Sequence, residues 1–169
     1  MALQQNTKLQ NDDGSKEVDA TMYRQLVGSL FYLTTTRLDL AYAVSALSQF
    51  MSKPLESHWI VAKGILSYLQ GTLDYGILYT DSCDVKLTGF LDSDWAGNVD
   101  DRRSITGYAF SIGSRVIAWS SKNQNIVSLS SEEAEYQAMC AVTCEVVWLR
   151  RFLQDAEEQK AATIIRCDN

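Results

Sequence analysis

The chain has 169 residues, of which 46% are hydrophobic and 21% are charged. That length suits one compact domain or a small domain with an appendage, and that composition excludes an intrinsically disordered protein. No run of about 18 apolar residues occurs, so we expect no membrane span and no membrane partner. The polar N-terminus lacks the apolar core of a secretory signal, which predicts an intracellular protein, either cytoplasmic or nuclear.

The cysteine and histidine content argues against several kinds of catalytic or metal site. The four cysteines form no CxxC pair, and His58 is the only histidine. Zinc sites and Ser-His-Asp or Cys-His catalysis need those residues in clusters. We therefore interpret the cysteines as reduced thiols in the interior.

Charge is distributed unevenly along the chain. The net charge of −6 disfavours nucleic acid as a partner overall, yet residues 102–131 contain no acid. That segment carries Arg102, Arg103, Arg115 and Lys122. It is either an ordinary charged hairpin surface or a local phosphate-binding surface.

The first 73 residues predict a flexible tail over residues 1–19 and then three helices. Thr21 is placed to cap the first helix, and Lys53-Pro54 ends the second. Ser57 is placed to cap the third, and Gly71 ends it. The apolar stripes of these helices follow helical spacing and predict core faces. Their members are Tyr23, Leu26, Val27, Leu30 and Phe31, then Leu40, Ala43, Val44, Leu47 and Met51, then Trp59, Ala62, Leu66 and Leu69.

From about residue 75 the hydrophobic period changes to two, which is typical of strands. YGILYT and VKLTGFLD each predict a strand, and TGYAFSIGSRVIAWSSK predicts a hairpin that turns at Gly113-Ser114. SLSSEEAEYQAM opens a long helix, with Ser130 and Glu133 spaced as a capping box. TIIRCDN predicts a last strand.

Three acids stand where one edge of a sheet could bring them together: Asp92 at a strand end, Glu135 in the first turns of the long helix, and Asp168 at the end of the last strand. Converging carboxylates repel one another, and a divalent ion relieves that repulsion. Oxygen ligands without histidine suit Mg²⁺ or Mn²⁺. The spacing alone leaves a second interpretation open, in which these acids are solvated strand ends and helix caps.

The motifs, taken in order, resemble the ribonuclease H domain of copia-type LTR retrotransposon Pol polyproteins of plants. They are LTGFLDSDWAGNVDDRRSITGYAFSIG, WSSKNQ, SLSSEEAEYQAM, VWLRR and IIRCDN. The preceding stretch from YRQLVGSLFYL to GTLDYGILY resembles the segment after the reverse transcriptase palm. The resemblance covers residues 17–169. It implies a thumb-like or connection segment over residues 20–73 and a truncated ribonuclease H-like domain over residues 74–169, which is an α/β fold with a mixed five-stranded sheet.

The resemblance also implies a function and a set of site residues. It implies hydrolysis of the RNA strand of RNA–DNA hybrids with two Mg²⁺ or Mn²⁺ ions held by Asp92, Glu135 and Asp168, with Asp94 as an accessory or turn residue. Arg102, Arg103 and Lys122 become candidates for phosphate contacts. Other products of the same polyprotein are further candidate partners.

The sequence departs from the family in ways that keep the alternatives open. The family continues past residue 169 into a segment with a histidine and another acidic ligand, and the polymerase Tyr-x-Asp-Asp motif is missing, so we expect a fragment that does not polymerise DNA. Gly64, Ser67 and Gln70 stand where basic residues are usual. The chain is therefore a weak or inactive ribonuclease H-type enzyme, a non-catalytic remnant that binds nucleic acid feebly, or an interaction domain with surface acids.

Overall fold

The computed structural model describes residues 9–79, 86–155 and 162–167. The chain forms two compact units: residues 1–76 with 98–101, and residues 77–97 with 102–169. The first is helical and the second is built on a sheet. In the described ranges, no helix has both the length and the apolar character to cross a membrane.

Three helices and a short 3₁₀ turn build the first unit. Helix α1 spans Ala20–Leu33, the 3₁₀ turn Leu38–Leu40, α2 Ala41–Ser48 and α3 Glu56–Gln70. The predicted apolar stripes form most of its core, because residues three and four apart lie on one helix face. The core residues are Tyr23, Val27, Leu30, Leu40, Ala43, Val44, Leu47, Ala62 and Ile65. Phe31 and Leu66 were predicted to join them and instead lie exposed.

Both predicted N-caps in this unit were wrong. Asp19, and not Thr21, caps α1, since its carboxylate accepts hydrogen bonds from the backbone N–H groups of Thr21 and Met22. Helix α3 begins at Glu56, one residue before the predicted cap Ser57. Its first turn is closed by a histidine, because Nδ1 of His58 accepts the Leu55 N–H at 3.1 Å.

The buried Arg37 links the start of the 3₁₀ turn to the residues just after α3. Arg37 is 8% exposed and makes a two-pronged ion pair with Asp39 at 2.8 and 2.9 Å. It also donates to the carbonyl and hydroxyl oxygens of Thr72, just past α3. The Tyr68 hydroxyl donates to the same Asp39 carboxylate at 3.0 Å. The pKa of Asp39 is lowered, mainly by the hydrogen bonds from Arg37.

The second unit is a four-stranded sheet with one helix packed on it. Strand β1 spans Leu87–Asp94, β2 Ile105–Ile112, β3 Arg115–Asn123 and β4 Ile164–Cys167, and helix α4 spans Ser131–Asp155. The strand order is β3-β2-β1-β4, with β4 parallel to β1 and the other pairs antiparallel. This mixed sheet confirms the predicted α/β class. The resemblance implies five strands, and the described residues supply four.

The hairpin, the long helix and the last strand lie where the periodicity predicted them. The first predicted strand does not: residues 75–79 of YGILYT form no strand, and Thr80 lies outside the described residues. Alternating apolar residues predict a strand only where a neighbouring strand pairs with them. Tyr79 instead donates its hydroxyl hydrogen to the Val116 carbonyl at 3.2 Å.

Helix α4 covers one face of the sheet and forms the second core. Leu87, Leu91 and Phe110 of the sheet pack against its inward stripe. That stripe comprises Ala138, Val142, Val146, Leu149 and Leu153. Gly89 of β1 belongs to this packing, because a Cβ there would lie 2.6 Å from the Phe110 ring. A glycine inside a central strand is thus explained by a neighbouring aromatic ring.

Candidate metal centre

Asp92 lies near the C-terminal end of β1, on the face of the sheet opposite α4. Side chains alternate along a strand, and its neighbour Leu91 is 7% exposed in the core beneath α4. Asp92 is exposed, and its partner across the β1–β2 ladder is Gly107, which has no side chain. The carboxylate therefore stands beside open space at a sheet end, where a ligand could reach it.

Asp94 has a local role in the turn that follows β1. The Gly97 N–H donates to the Asp94 carbonyl at 3.3 Å, and Ala96 takes a positive φ of 50°. The Asp94 carboxylate lies so close to Gly97 that a Cβ at that position would collide with it. A larger residue at position 97 would therefore displace the Asp94 carboxylate from this turn.

Glu135 is the fifth residue of α4, and the helix start is fixed by a polar cap. The Ser130 hydroxyl accepts the Glu133 N–H at 3.2 Å, as the predicted capping box requires. The returning bond differs from the prediction, because the Glu133 carboxylate accepts from Leu129 N–H at 2.6 Å. Glu135 precedes the buried Ala138 by three residues and is itself half-buried, so it lies on the flank of α4 near the sheet.

Gln124 holds the beginning of α4 against this end of the sheet. It is 7% exposed, and its amide donates to Thr106 Oγ1 at 3.0 Å and to the Ala134 carbonyl at 2.7 Å. Its side-chain oxygen accepts from the Ser128 hydroxyl at 3.0 Å. Thr106 pairs with Ser93 of β1, the residue after Asp92. The residue before Glu135 is thereby joined through two hydrogen bonds to the strand beside Asp92.

A second set of bonds ties the β1 turn to the same place. The Trp95 indole N–H donates to the Ser128 carbonyl at 3.2 Å, and the Ala96 N–H donates to the Ser104 hydroxyl at 3.2 Å. The Gln124 N–H donates to the Ser104 carbonyl at 2.8 Å. The sequence pattern did not single out these positioning residues. The signal available for them was a run of polar side chains between a strand and a helix, which also describes any solvated loop.

Asp168, the third predicted ligand, lies outside the described residues. The parallel ladder of β1 and β4 is described as far as the pair Leu91 and Cys167. In the sequence, each of those two residues is followed by an aspartate. Within residues 9–79, 86–155 and 162–167, no three His, Cys, Asp or Glu side chains form a group able to hold a metal ion.

The three predicted phosphate-contacting residues lie at the same end of the sheet as Asp92. Arg102 and Arg103 precede β2, and Lys122 lies near the end of β3, where it pairs with Thr106. All three are exposed, and Arg102 has a positive φ of 59°. Because β1 and β3 end where β2 begins, the topology gathers acids and cations at one end of the second unit.

This sheet order, with one helix across a face and acids at one end, defines an α/β protein of the ribonuclease H-like class. Comparison with known sequences then gives the family. The chain is 43% identical over 163 residues to the retrovirus-related Pol polyprotein from transposon RE2 of Arabidopsis thaliana, which covers 96% of this chain and 11% of the polyprotein. It is 41% identical over 148 residues to the Pol polyprotein from transposon TNT 1-94 of Nicotiana tabacum, covering 87% of this chain and 11% of that polyprotein.

A relative of similar length is the secreted RxLR effector protein 161 of Plasmopara viticola. It is 48% identical over 128 residues, covering 75% of this chain and 90% of that protein. No protein-family model and no solved structure matches the chain.

The chain belongs to the family of copia-type, retrovirus-related Pol polyproteins, and it corresponds to a fragment of them that spans 11% of their length.

Proposed function

We propose that this chain carries a ribonuclease H-type activity, which is metal-dependent hydrolysis of the RNA strand of an RNA–DNA hybrid during reverse transcription. The observation that carries the proposal is that the exposed Asp92 lies near the end of β1, at the end of the sheet where Gln124 anchors the start of α4, close in sequence to Glu135. Because Asp92 projects from the face opposite α4, ions shared by the two carboxylates would lie around that end of the sheet. Membership of the retrotransposon Pol family supports the proposal, because RNA–DNA hybrids arise during reverse transcription. The whole polyprotein's other activities are not part of this proposal.

The residues fit a hard divalent cation. Asp92 is exposed beside Gly107, and Glu135 is half-buried on a helix whose first turn is anchored by Gln124. Carboxylate oxygens are the ligands that Mg²⁺ and Mn²⁺ prefer, and neither carboxylate needs to act as an acid or a base. Two such ions would activate a water and stabilise the leaving oxygen.

In this proposal each part of the site has a separate task. Asp92 and Glu135 hold the ions together with Asp168. Asp168 directly follows Cys167 in the sequence, and Cys167 pairs with Leu91, the residue before Asp92. Arg102, Arg103 and Lys122 contact hybrid phosphates from the neighbouring strand ends. Discrimination for the RNA strand would come from its 2′-hydroxyls and from the hybrid's shape.

Cleavage of a labelled RNA–DNA hybrid by the purified chain, with and without Mg²⁺, tests this function. Asp92→Asn and Glu135→Gln should lower the rate on the order of 100-fold, which is the scale for losing one preorganised charged group. Glu132→Gln is a matched control, since Glu132 is an exposed acid of the same helix turn. Equal rates for the parent and both site variants would refute the assignment. A parent chain without cleavage would favour the non-catalytic alternative.

A further inference from the structure

Helix α4 carries a second apolar face that points away from the sheet. Its exposed members include Tyr136, Cys140, Cys144, Val147 and Trp148, so the prediction of buried thiols was wrong for these two cysteines, as it was for the exposed Cys167. The side chains of Tyr136 and Trp148 are 72% and 58% exposed. These residues follow spacings of three and four, so they form one stripe along the helix. An apolar stripe of this length on the outside of a helix marks an interaction surface.

The charges on this helix are confined to its two ends on the outer side. Glu132 and Glu133 lie in the first turn, and Arg150 and Arg151 lie near the end. Glu132 and Arg150 are eighteen residues apart, which is about five turns, so they lie on one flank of the stripe. Glu133 and Arg151 have the same spacing and lie on the line of the stripe itself, beyond its two ends.

The charges at the two ends of α4 are complementary to those of a second α4 helix that lies antiparallel to the first. In an antiparallel pair of α4 helices related by a two-fold axis, each flank faces the same flank of the other copy. Glu132 then meets Arg150 of the second copy, and Glu133 meets Arg151. Both pairings centre the interface near residues 141 and 142. A parallel pair would bring like charges together at both ends.

The same register matches the apolar residues. With the interface centred there, Tyr136 faces Val147 and Trp148 of the second copy, and Cys140 faces Cys144. We propose that two copies of this chain associate through the outer face of α4, as an antiparallel helix pair. The surface is independent of the sheet end that carries Asp92.

Sedimentation velocity over a range of concentrations should show the parent chain passing from monomer to dimer. Val147→Arg places a charge in the stripe, opposite Tyr136 of the second copy, and should weaken the dimer roughly tenfold or more, as expected for a buried apolar contact. Ile117→Arg is the matched control, because Ile117 is a comparably exposed apolar residue on the sheet. A monomer at all concentrations, or a dimer lost only in Ile117→Arg, would overturn the proposal.

A charge exchange tests the antiparallel direction. Arg150→Glu should weaken the dimer, because an acid then faces Glu132 of the second copy. Adding Glu132→Lys to the same chain should restore association, and it leaves the Glu133 cap of α4 in place. Failure of the double variant to recover association, while circular dichroism shows the helix intact, would contradict the pairing.

Cross-linking tests the register. Two variants, both with Cys83→Ser and Cys167→Ser, would retain only Cys140 or only Cys144, and diamide would serve as the oxidant that takes up two electrons and two protons per disulfide. The mixture should cross-link far more than either variant alone, since Cys140 meets its own copy only with an offset of about 6 Å along the axis. Equal cross-linking of a variant with itself would overturn this register.

Discussion

The two units of this chain use their charged side chains in opposite ways. In the first unit, Arg37 and Asp39 are joined to each other and to Tyr68 and Thr72, so their charges stabilise the packing of helices. In the second unit, Asp92 and the cations before β2 and at the end of β3 are exposed at one end of the sheet. There the hydrogen bonds around Gln124 that hold the start of α4 join uncharged groups. The buried polar network is thus ionic in the first unit and neutral at this end of the second, where Asp92 is exposed to solvent.

The largest expected effect is the loss of the buried arginine. Arg37→Met should lower the free energy of unfolding by about 3 kcal/mol, because Asp39 and the Thr72 carbonyl lose their partner in a partly buried place. Lys53→Met is the control, since its ion pair with Glu17 is exposed on both sides, and we expect at most about 0.5 kcal/mol there. Chemical denaturation measures both. Similar losses for the two variants would show that the Arg37 cluster is not structural.

Gln124 should matter nearly as much in the second unit. Gln124→Ala removes two donated hydrogen bonds and one accepted bond in a buried place, which we expect to cost about 2 kcal/mol. Gln137→Ala loses a single bond to Ser128 from a half-buried position and should cost less than about 1 kcal/mol. Amide hydrogen exchange should show faster opening at the start of α4 in Gln124→Ala. Unchanged exchange there would contradict the positioning role.

Alanine substitutions at two glycines should change the free energy of unfolding in opposite directions, one through packing and the other through helix propensity. Gly89→Ala would force the Phe110 ring to move and should destabilise by about 1–3 kcal/mol. Gly64→Ala lies in α3 with nothing within 4 Å of the added Cβ, and it should stabilise by about 0.5–1 kcal/mol. Thermal denaturation measures both directions. Stabilisation by Gly89→Ala would show that the ring does not restrict that position.

The smallest expected effect is a dependence of stability on pH that arises in the first unit. Burial lowers the pKa of His58, whose ring stacks on Phe50 at 4.0 Å. Because Nδ1 accepts from Leu55, Nε2 carries the proton and donates to the Gln10 carbonyl at 3.0 Å. The facing acids Asp13 and Asp100 oppose the lowering without reversing it.

The direction of this pH dependence follows from proton binding. Below about pH 6.5 the unfolded chain binds a proton that folded His58 does not, so stability falls as the pH falls below that value. His58→Asn removes the titrating group while keeping an acceptor for Leu55. Stability of the parent and of His58→Asn, compared between pH 7.5 and 5.5, measures this contribution. Identical slopes for the two proteins would contradict it.

The sequence predicted what depends on local periodicity and missed what depends on distant partners. The apolar stripes and the alternation around Gly113 located three helices, the hairpin and α4, because those patterns reflect one buried face. The predicted N-caps of α1 and α3 were wrong because several residues near each helix start could act as the cap. At the start of α3, tertiary packing places the His58 ring where it accepts the Leu55 N–H. YGILYT was wrong as a strand over residues 75–79 because alternation does not supply a partner.

The candidate site divides in the same way. The family motifs pointed to Asp92, which lies near the end of β1, and to Glu135, which lies in the first turns of α4, and their role as metal ligands stays a prediction. Nothing in the sequence singled out Gln124, because its role depends on the simultaneous approach of Thr106 and Ala134. The convergence of Asp168 with the other two acids stays a prediction.

Binding of Mn²⁺, followed by electron paramagnetic resonance as free ion disappears, tests the metal centre most directly, since it needs neither nucleic acid nor turnover. We expect saturable binding by the parent chain, binding weakened roughly 10- to 100-fold in Asp92→Asn and in Glu135→Gln, and binding unchanged in Glu132→Gln. The same affinity in all four proteins, or no binding by the parent, would contradict the assignment of these carboxylates to a metal site.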